Sequence, residues 1–188
     1  MAIIGVLQAT NHSKYVRPEA DFYATDPKCV DDLLGVEDIS HSVLEPACGA
    51  GHISKRLIER GRHVVSFDLH DRGYGMVGVD FLSKCWHWKG DIVTNPPYNL
   101  AEQFVRHALG SVEDGDKVAM FLRIQFLESV KRKLLFESQP PKRVYVYSAR
   151  QKVGRNGDFV YFNQSSVICF AWFVWEKGFQ GDTILKWL

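Results

Sequence analysis

The chain has 188 residues, enough for one α/β domain with a core of its own and too few for two comfortable domains. With 46% hydrophobic residues and a formal net charge of +1 it reads as an ordinary globule, without the basic excess that holds nucleic acid by charge alone, so any such contact must be local. No apolar run approaches transmembrane length, the apolar start Met1 to Leu7 is too short and uncharged for a signal peptide, and Cys29, Cys48, Cys85 and Cys169 show neither disulfide-framework nor zinc spacing, so a reducing cytoplasm fits best.

From about residue 25, short β-prone runs alternate with helix-like stretches, the pattern of a parallel sheet covered on both faces. Asp26 before Pro27 is an N-cap with proline at the first helical position and predicts a helix over Pro27 to Leu34. A strand over Val43 to Pro46 then runs into Glu45-Pro46-Ala47-Cys48-Gly49-Ala50-Gly51, which opens a helix over His52 to Arg60. Such a strand-to-helix junction is where α/β sheets bind nucleotide-like ligands. The next strand, His63 to Asp68, ends in a carboxylate placed to accept from both hydroxyls of a ribose. A dinucleotide dehydrogenase would show the same two features, but the third glycine of its fingerprint is missing. Glu45 would also set negative charge beside a pyrophosphate that prefers a positive helix N-terminus. A cationic ligand without phosphates fits better, and Glu45 then favours it. Within Val79-Asp80-Phe81-Leu82, Asp80 can serve a ligand amino group and Phe81 a ligand ring, although a loop carboxylate beside a core aromatic is the plainer reading of that pair alone.

The run Asp91 to Asn95 predicts the next strand and leads into Asn95-Pro96-Pro97-Tyr98. From average composition this tetrapeptide arises by chance in about one chain of this length in two thousand. The prolines fix φ, supply no N–H and push the preceding residue into extended backbone, so Asn95 is held rigidly at a strand end. The Asn95 side-chain oxygen and the carbonyls of Asn95 and Pro96 are acceptors with few local donors. That set calls for an external donor with two hydrogens, such as an exocyclic amino group whose lone pair is delocalised into a ring. Two placed acceptors draw such a nitrogen toward tetrahedral geometry and free the lone pair. Tyr98 can then stack on the base. A proline-rich turn without chemistry is the bland alternative.

Beyond the motif, a helix is predicted over Leu100 to Leu109, a strand over Lys117 to Leu122, a helix over Phe126 to Glu137 with Lys131-Arg132-Lys133 on a solvated face, and strands over Arg143 to Tyr147 and Val167 to Trp175. The last is nearly continuously apolar, as expected of a strand buried on both sides. Between the final two lies Gln151 to Ser166, the longest expected loop, which mixes Lys152 and Arg155 with glycines and aromatics. The seven histidines, His52, His63 and His70 among them, share no ligand-like spacing, so no metal site is expected.

With these residues assembled, the chain resembles the class I S-adenosylmethionine-dependent amino-methyltransferases, in particular the N6-adenine DNA methyltransferases. Four ordered motifs carry the resemblance: Phe22 to Pro27 looks like the family's N-terminal cofactor segment, Glu45 to Gly51 like its glycine loop, Asp80-Phe81 like its adenine-binding pair and Asn95 to Tyr98 like its catalytic motif. The resemblance implies a doubly wound, mostly parallel, seven-stranded Rossmann-like sheet, with one methyltransferase domain over residues 1–188 and no separate target-recognition domain. It implies S-adenosylmethionine as cofactor, bound by Phe22, Tyr23, Thr25, Glu45, Ala47, Gly49, Gly51, Asp68, Asp80, Phe81 and Asn95. Asn95, Pro96, Pro97 and Tyr98 become the catalytic set, with direct in-line transfer and no covalent intermediate. A cytosine-C5 enzyme would need a cysteine nucleophile in the loop after this strand, and none is present.

The expected partner is nucleic acid, foremost DNA, contacted by Tyr98, Arg150, Lys152, Arg155 and Phe159. A homodimer or a targeting partner stays open, as do RNA bases, protein glutamine or a catalytically idle cofactor-binding or nucleic-acid-binding module. The small size is similar to compact phage-type adenine methyltransferases, which implies a bacterial or phage-infected host cell.

Overall fold

The computed structural model describes residues 23–149, 151 and 168–188, together with the backbone of residues 153–155. Its strands are β1 (Tyr23–Thr25), β2 (Ser42–Glu45), β3 (His63–Asp68), β4 (Met76–Val77), β5 (Asp91–Thr94), β6 (Lys117–Arg123), β7 (Arg143–Val146), β8 (Val153–Arg155), β9 (Phe170–Glu176) and β10 (Ile184–Trp187). The helices are α1 (Pro27–Val36), α2 (His52–Glu59), α3 (Ala101–Ser111) and α4 (Lys133–Ser138), with 3-10 turns at Phe81–Ser83 and Ile124–Leu127.

Eight strands form one sheet in the order β10-β7-β9-β6-β5-β2-β3-β4. β4, β3, β2, β5 and β6 pair in parallel, whereas β9 inserts antiparallel between β6 and β7. The expected mostly parallel, doubly wound α/β sheet is present with eight strands rather than seven. β4 and β10 lie at its two edges, and their few exposed residues carry too little periodicity to announce a strand. β1 and β8 stand apart as a two-stranded antiparallel ribbon.

Period-two alternation along the strands builds a core on each face. Ile92, Val118 and Met120 pack with Phe104, Val105 and Ala108 of α3, while Val93, Ala119 and Phe121 pack on the other face with Val30 and Leu33 of α1 and Ile53 and Leu57 of α2. β6 is thus continuously apolar from Val118 to Leu122 because both its faces are covered. Asp26 caps α1 by accepting from the Lys28 N–H at 2.9 Å, with proline at the helix start.

Two expectations are corrected. The helix over 126–137 breaks into a 3-10 turn and a short α4, because the Arg132 guanidinium takes the carbonyls of Gln125, Phe126 and Glu128 and lies 4.7 Å over the Phe126 ring. Arg132 therefore clamps a loop instead of lining a solvated helix face. The expected loop from Gln151 onward contains β8, and the strand expected over Val167 to Trp175 is β9, which starts at Phe170, after Ile168 and Cys169.

The sheet order reverses between β2 and β5: β3 continues on one side of this pair and β6 on the other. The crevice at the carboxyl ends of that pair is the binding position of doubly wound folds. It receives the glycine loop from β2 and the Asn95 tetrapeptide from β5.

Candidate active site

On the β2 side the loop is tied down by its own neighbours. Gly51 sits at the N-terminus of α2 with φ +79°, and a Cβ there would meet the Tyr74 ring at 2.4 Å. The glycine therefore serves close packing as well as a left-handed turn. Asp68 accepts from the Gly49 N–H at 2.9 Å and the His70 N–H at 2.8 Å, one on each carboxylate oxygen. Each oxygen retains a lone pair for a hydroxyl donor. Cys48, in the same loop, is buried, and burial pushes its thiol up to about 12, which removes it as a nucleophile near neutrality.

Glu45 is 1% exposed and receives the Ser54 hydroxyl, which also bonds Ser66 at 2.6 Å. Burial pushes its carboxyl up to about 8. Its side chain thus reaches into the base of α2, in place of the direct contact with a cationic ligand that the sequence suggests. Asp80 caps the 3-10 turn by accepting from the Leu82 N–H at 2.9 Å on one oxygen, and no described residue donates to the other. Phe81 departs from expectation. It is 2% exposed, wedged among Phe67, Trp86, Phe104 and His107 with ring centroids 4.7–6.3 Å apart, so it is a packing aromatic with no open face for a ligand. Ala47 is half-buried against the same core cluster.

On the β5 side, the Asn95 amide donates to the Tyr23 carbonyl at 2.7 Å and the Thr25 hydroxyl at 3.0 Å. Both hydrogens of the amide are consumed, which leaves the side-chain oxygen as its one unused group. Among the described residues nothing donates to that oxygen or to the carbonyls of Asn95 and Pro96. Tyr23 and Thr25, read in the sequence as cofactor contacts, act here as the acceptors that orient Asn95. Pro96 is buried and Pro97 exposed, so the pair forms the outer turn of the site.

Tyr98 is packed, not open. Its ring stacks on Tyr23 with centroids 5.8 Å apart and meets Phe170 at 6.1 Å, and the Arg123 guanidinium lies 4.6 Å over it. Its buried hydroxyl makes no well-formed hydrogen bond, and burial raises its pKa well above the ordinary phenol value against the pull of the Arg123 charge and of the nearby Asn95 side chain. Arg123 and its place beside the tetrapeptide went unnoticed in the sequence, where it is one cation at the end of a strand. Its Nε is buried without a partner. An orphaned buried donor costs about 1–3 kcal/mol. The cation–π contact returns about 0.5–2 kcal/mol, so the aromatic seat offsets the cost without removing it.

The ribbon brings the N-terminal segment and the late segment to the same place, with Tyr23 paired to Arg155 and Thr25 to Val153. Phe22, Arg150, Lys152 and Phe159 lie outside the described residues, as does the side chain of Arg155. Among the described residues no helix is long and apolar enough to cross a membrane, and no group of His, Cys, Asp and Glu is arranged to hold a metal ion.

No family profile matches the sequence, and no curated protein matches it. The architecture does resemble solved structures. A protein of Listeria monocytogenes provisionally assigned as a class I S-adenosylmethionine-dependent methyltransferase aligns over 86% of this chain and 64% of its own, at TM-score 0.59 and 12% identity. The modification subunit of a provisionally assigned type I restriction enzyme from Vibrio vulnificus aligns over 89% of this chain and 46% of its own, at TM-score 0.57 and 14% identity. The 23S rRNA methyltransferase ErmE aligns over 85% and 73%, at TM-score 0.55 and 14% identity. This chain therefore spans less than two thirds of the Listeria and Vibrio proteins, and what it shares with all three is the Rossmann-like methyltransferase fold.

Proposed function

We propose that the protein is an S-adenosylmethionine-dependent methyltransferase that acts on the exocyclic N6 of adenine in DNA. One observation carries the reading. The Asn95 amide spends both hydrogens on Tyr23 and Thr25, so its oxygen is left as a fixed acceptor beside the unused Pro96 carbonyl.

The donor set across the crevice fits the cofactor. Asp68 and Asp80 keep acceptor capacity for a ribose and an amino group; the glycine loop carries no cation to receive a pyrophosphate, and Lys55 of α2 donates to the Ala50 carbonyl at 2.9 Å. When bound, S-adenosylmethionine supplies an electrophilic methyl group on a sulfonium. The residues of this chain do the rest. Asn95 and the Pro96 carbonyl each accept one hydrogen of the target amine, which aims the nitrogen lone pair and lets positive charge build there during transfer. Tyr23 and Thr25 keep the amide from rotating its nitrogen toward the substrate. Proximity and orientation across the β2–β5 crevice supply the remaining acceleration.

DNA is favoured among planar amino and amide targets because flipping a base delivers one N6 amine into a small acceptor cup. RNA has support from the likeness to ErmE. Incubation with methyl-labelled cofactor and equal masses of DNA, RNA and bacterial protein, followed by nucleoside and amino-acid analysis, tests the choice. Label recovered as N6-methyladenine in DNA is the expected product. Label found solely in RNA or in protein overturns the substrate, and no label in any of them overturns the activity.

A further inference from the structure

We propose that Arg123 grips a backbone phosphodiester next to the target nucleotide. This assignment rests on the reading of the site as a DNA methyltransferase and names a substrate contact that the resemblance does not supply. Arg123 is the last residue of β6, the strand parallel to the one that delivers Asn95, and lies opposite Phe170 of β9. Its guanidinium is 4.6 Å from the Tyr98 ring centroid and 5.9 Å from that of Tyr23, so it shares the surroundings of the acceptor motif.

The contrast with other arginines is chemical. Arg56 and Arg60 hold Asp31, Arg106 holds Glu102, Arg143 holds Glu37, and Arg132 is spent on three carbonyls. Arg123 pairs with no carboxylate or carbonyl among the described residues; its Nε is buried without a partner, as is that of Arg62, but Arg62 gives another guanidinium nitrogen to the Arg60 carbonyl. A planar cation seated on two aromatic rings has little freedom left to lose, and its unused donors suit the paired oxygens of a phosphate. A phosphodiester accompanies every base presented to the Asn95 acceptors, whereas a peptide glutamine brings no obligatory anion. A chain of net charge +1 also gains from such a contact at the site itself, since its overall charge is too small to hold a strand.

Binding of a short single-stranded oligodeoxynucleotide with one adenine, followed by fluorescence anisotropy across a salt series, tests the role. The Arg123→Met and Arg123→Lys variants are compared with the wild type, with and without a single uncharged methylphosphonate beside the adenine. Arg123→Met is expected to lose at least tenfold in affinity and to reduce the salt slope by about 0.7, the value of one phosphate contact on a single strand. It should also become insensitive to the methylphosphonate, while cofactor affinity is unchanged. Arg123→Lys, which keeps the charge and guards against misfolding, should lose a few-fold in affinity and retain the slope. An unchanged slope in Arg123→Met, a lost slope in Arg123→Lys, a parallel loss of cofactor affinity, or dependence on Arg123 for RNA but not DNA each overturns the assignment. Wild-type turnover is read separately. DNA that binds through Arg123 yet is never methylated removes the adenine reading and leaves the phosphodiester contact standing.

Discussion

The two lips of the crevice differ in how their polar groups are satisfied. On the glycine-loop side, Glu45 has Ser54, Asp68 has two backbone amides and Asp80 caps a turn. On the Asn95 side, the Thr94 hydroxyl, the Tyr98 hydroxyl and the Arg123 Nε are buried with no partner, three of the five such atoms among the described residues. Buried polar atoms are normally paired, so a cluster of orphans marks a place that awaits something from outside. The closed lip holds its shape through these bonds while Asp68 and Asp80 keep spare acceptor capacity, and the open lip leaves its polar atoms unpaired.

The strongest way to break this contrast is Asn95→Ala. It removes the acceptor from the open lip and leaves the closed one intact, so turnover should fall at least a hundredfold, about 2.7 kcal/mol of transition-state stabilisation, with cofactor affinity retained by calorimetry. Equal losses in both would merge the two lips into one functional unit. On the closed lip, Gly51→Ala forces a left-handed alanine and pushes its methyl into the Tyr74 ring, and about 2 kcal/mol of stability should be lost in a denaturant titration. Adding Tyr74→Ala should recover the steric part. If it recovers nothing, the ring contact is irrelevant and only the backbone matters.

The closed lip should also report on pH. Glu45 ionises near 4.5 in the unfolded chain and is pushed up to about 8 in the fold, so in between the folded form holds a proton that the unfolded form has released. Stability therefore falls as pH rises through that window, by at most about 1.4 kcal/mol per pH unit, and levels off above it. Melting temperatures of the wild type and Glu45→Gln measured across the window should diverge, with the variant flatter. Parallel curves would show that another group carries the dependence. The finest probe is Thr25→Val, which frees one hydrogen of the Asn95 amide without touching its oxygen. A three- to tenfold fall in kcat with unchanged folding is expected, and wild-type kcat would show that the Tyr23 carbonyl suffices.

Much of the closed lip is legible in the sequence. Asp26-Pro27 announces α1, the glycines mark the loop, and β3 runs over His63–Asp68 as predicted, because each depends on neighbours in the chain. Asn95 is legible too, since its prolines dictate backbone geometry wherever they stand. The support around it is not. β1 has three residues, and its pairing with β8 spans well over a hundred positions, so no local period reveals it. Arg123 gains meaning only from the rings that fold onto it. Phe81 shows the other limit: an aromatic reads alike in the sequence whether it faces a ligand or, as here, packs in the core, the plainer of the two readings.

The ribbon of β1 and β8 has a mechanical consequence. The Tyr23 carbonyl and Thr25 hydroxyl that steady the Asn95 amide belong to β1, whose only strand neighbour among the described residues is β8. Tension on β8 is therefore transmitted to the amide through a ladder only three residue pairs long. The aim of the acceptor thus depends on a strand pairing far from it in the chain, and a shift of β8 would reach the amide through β1.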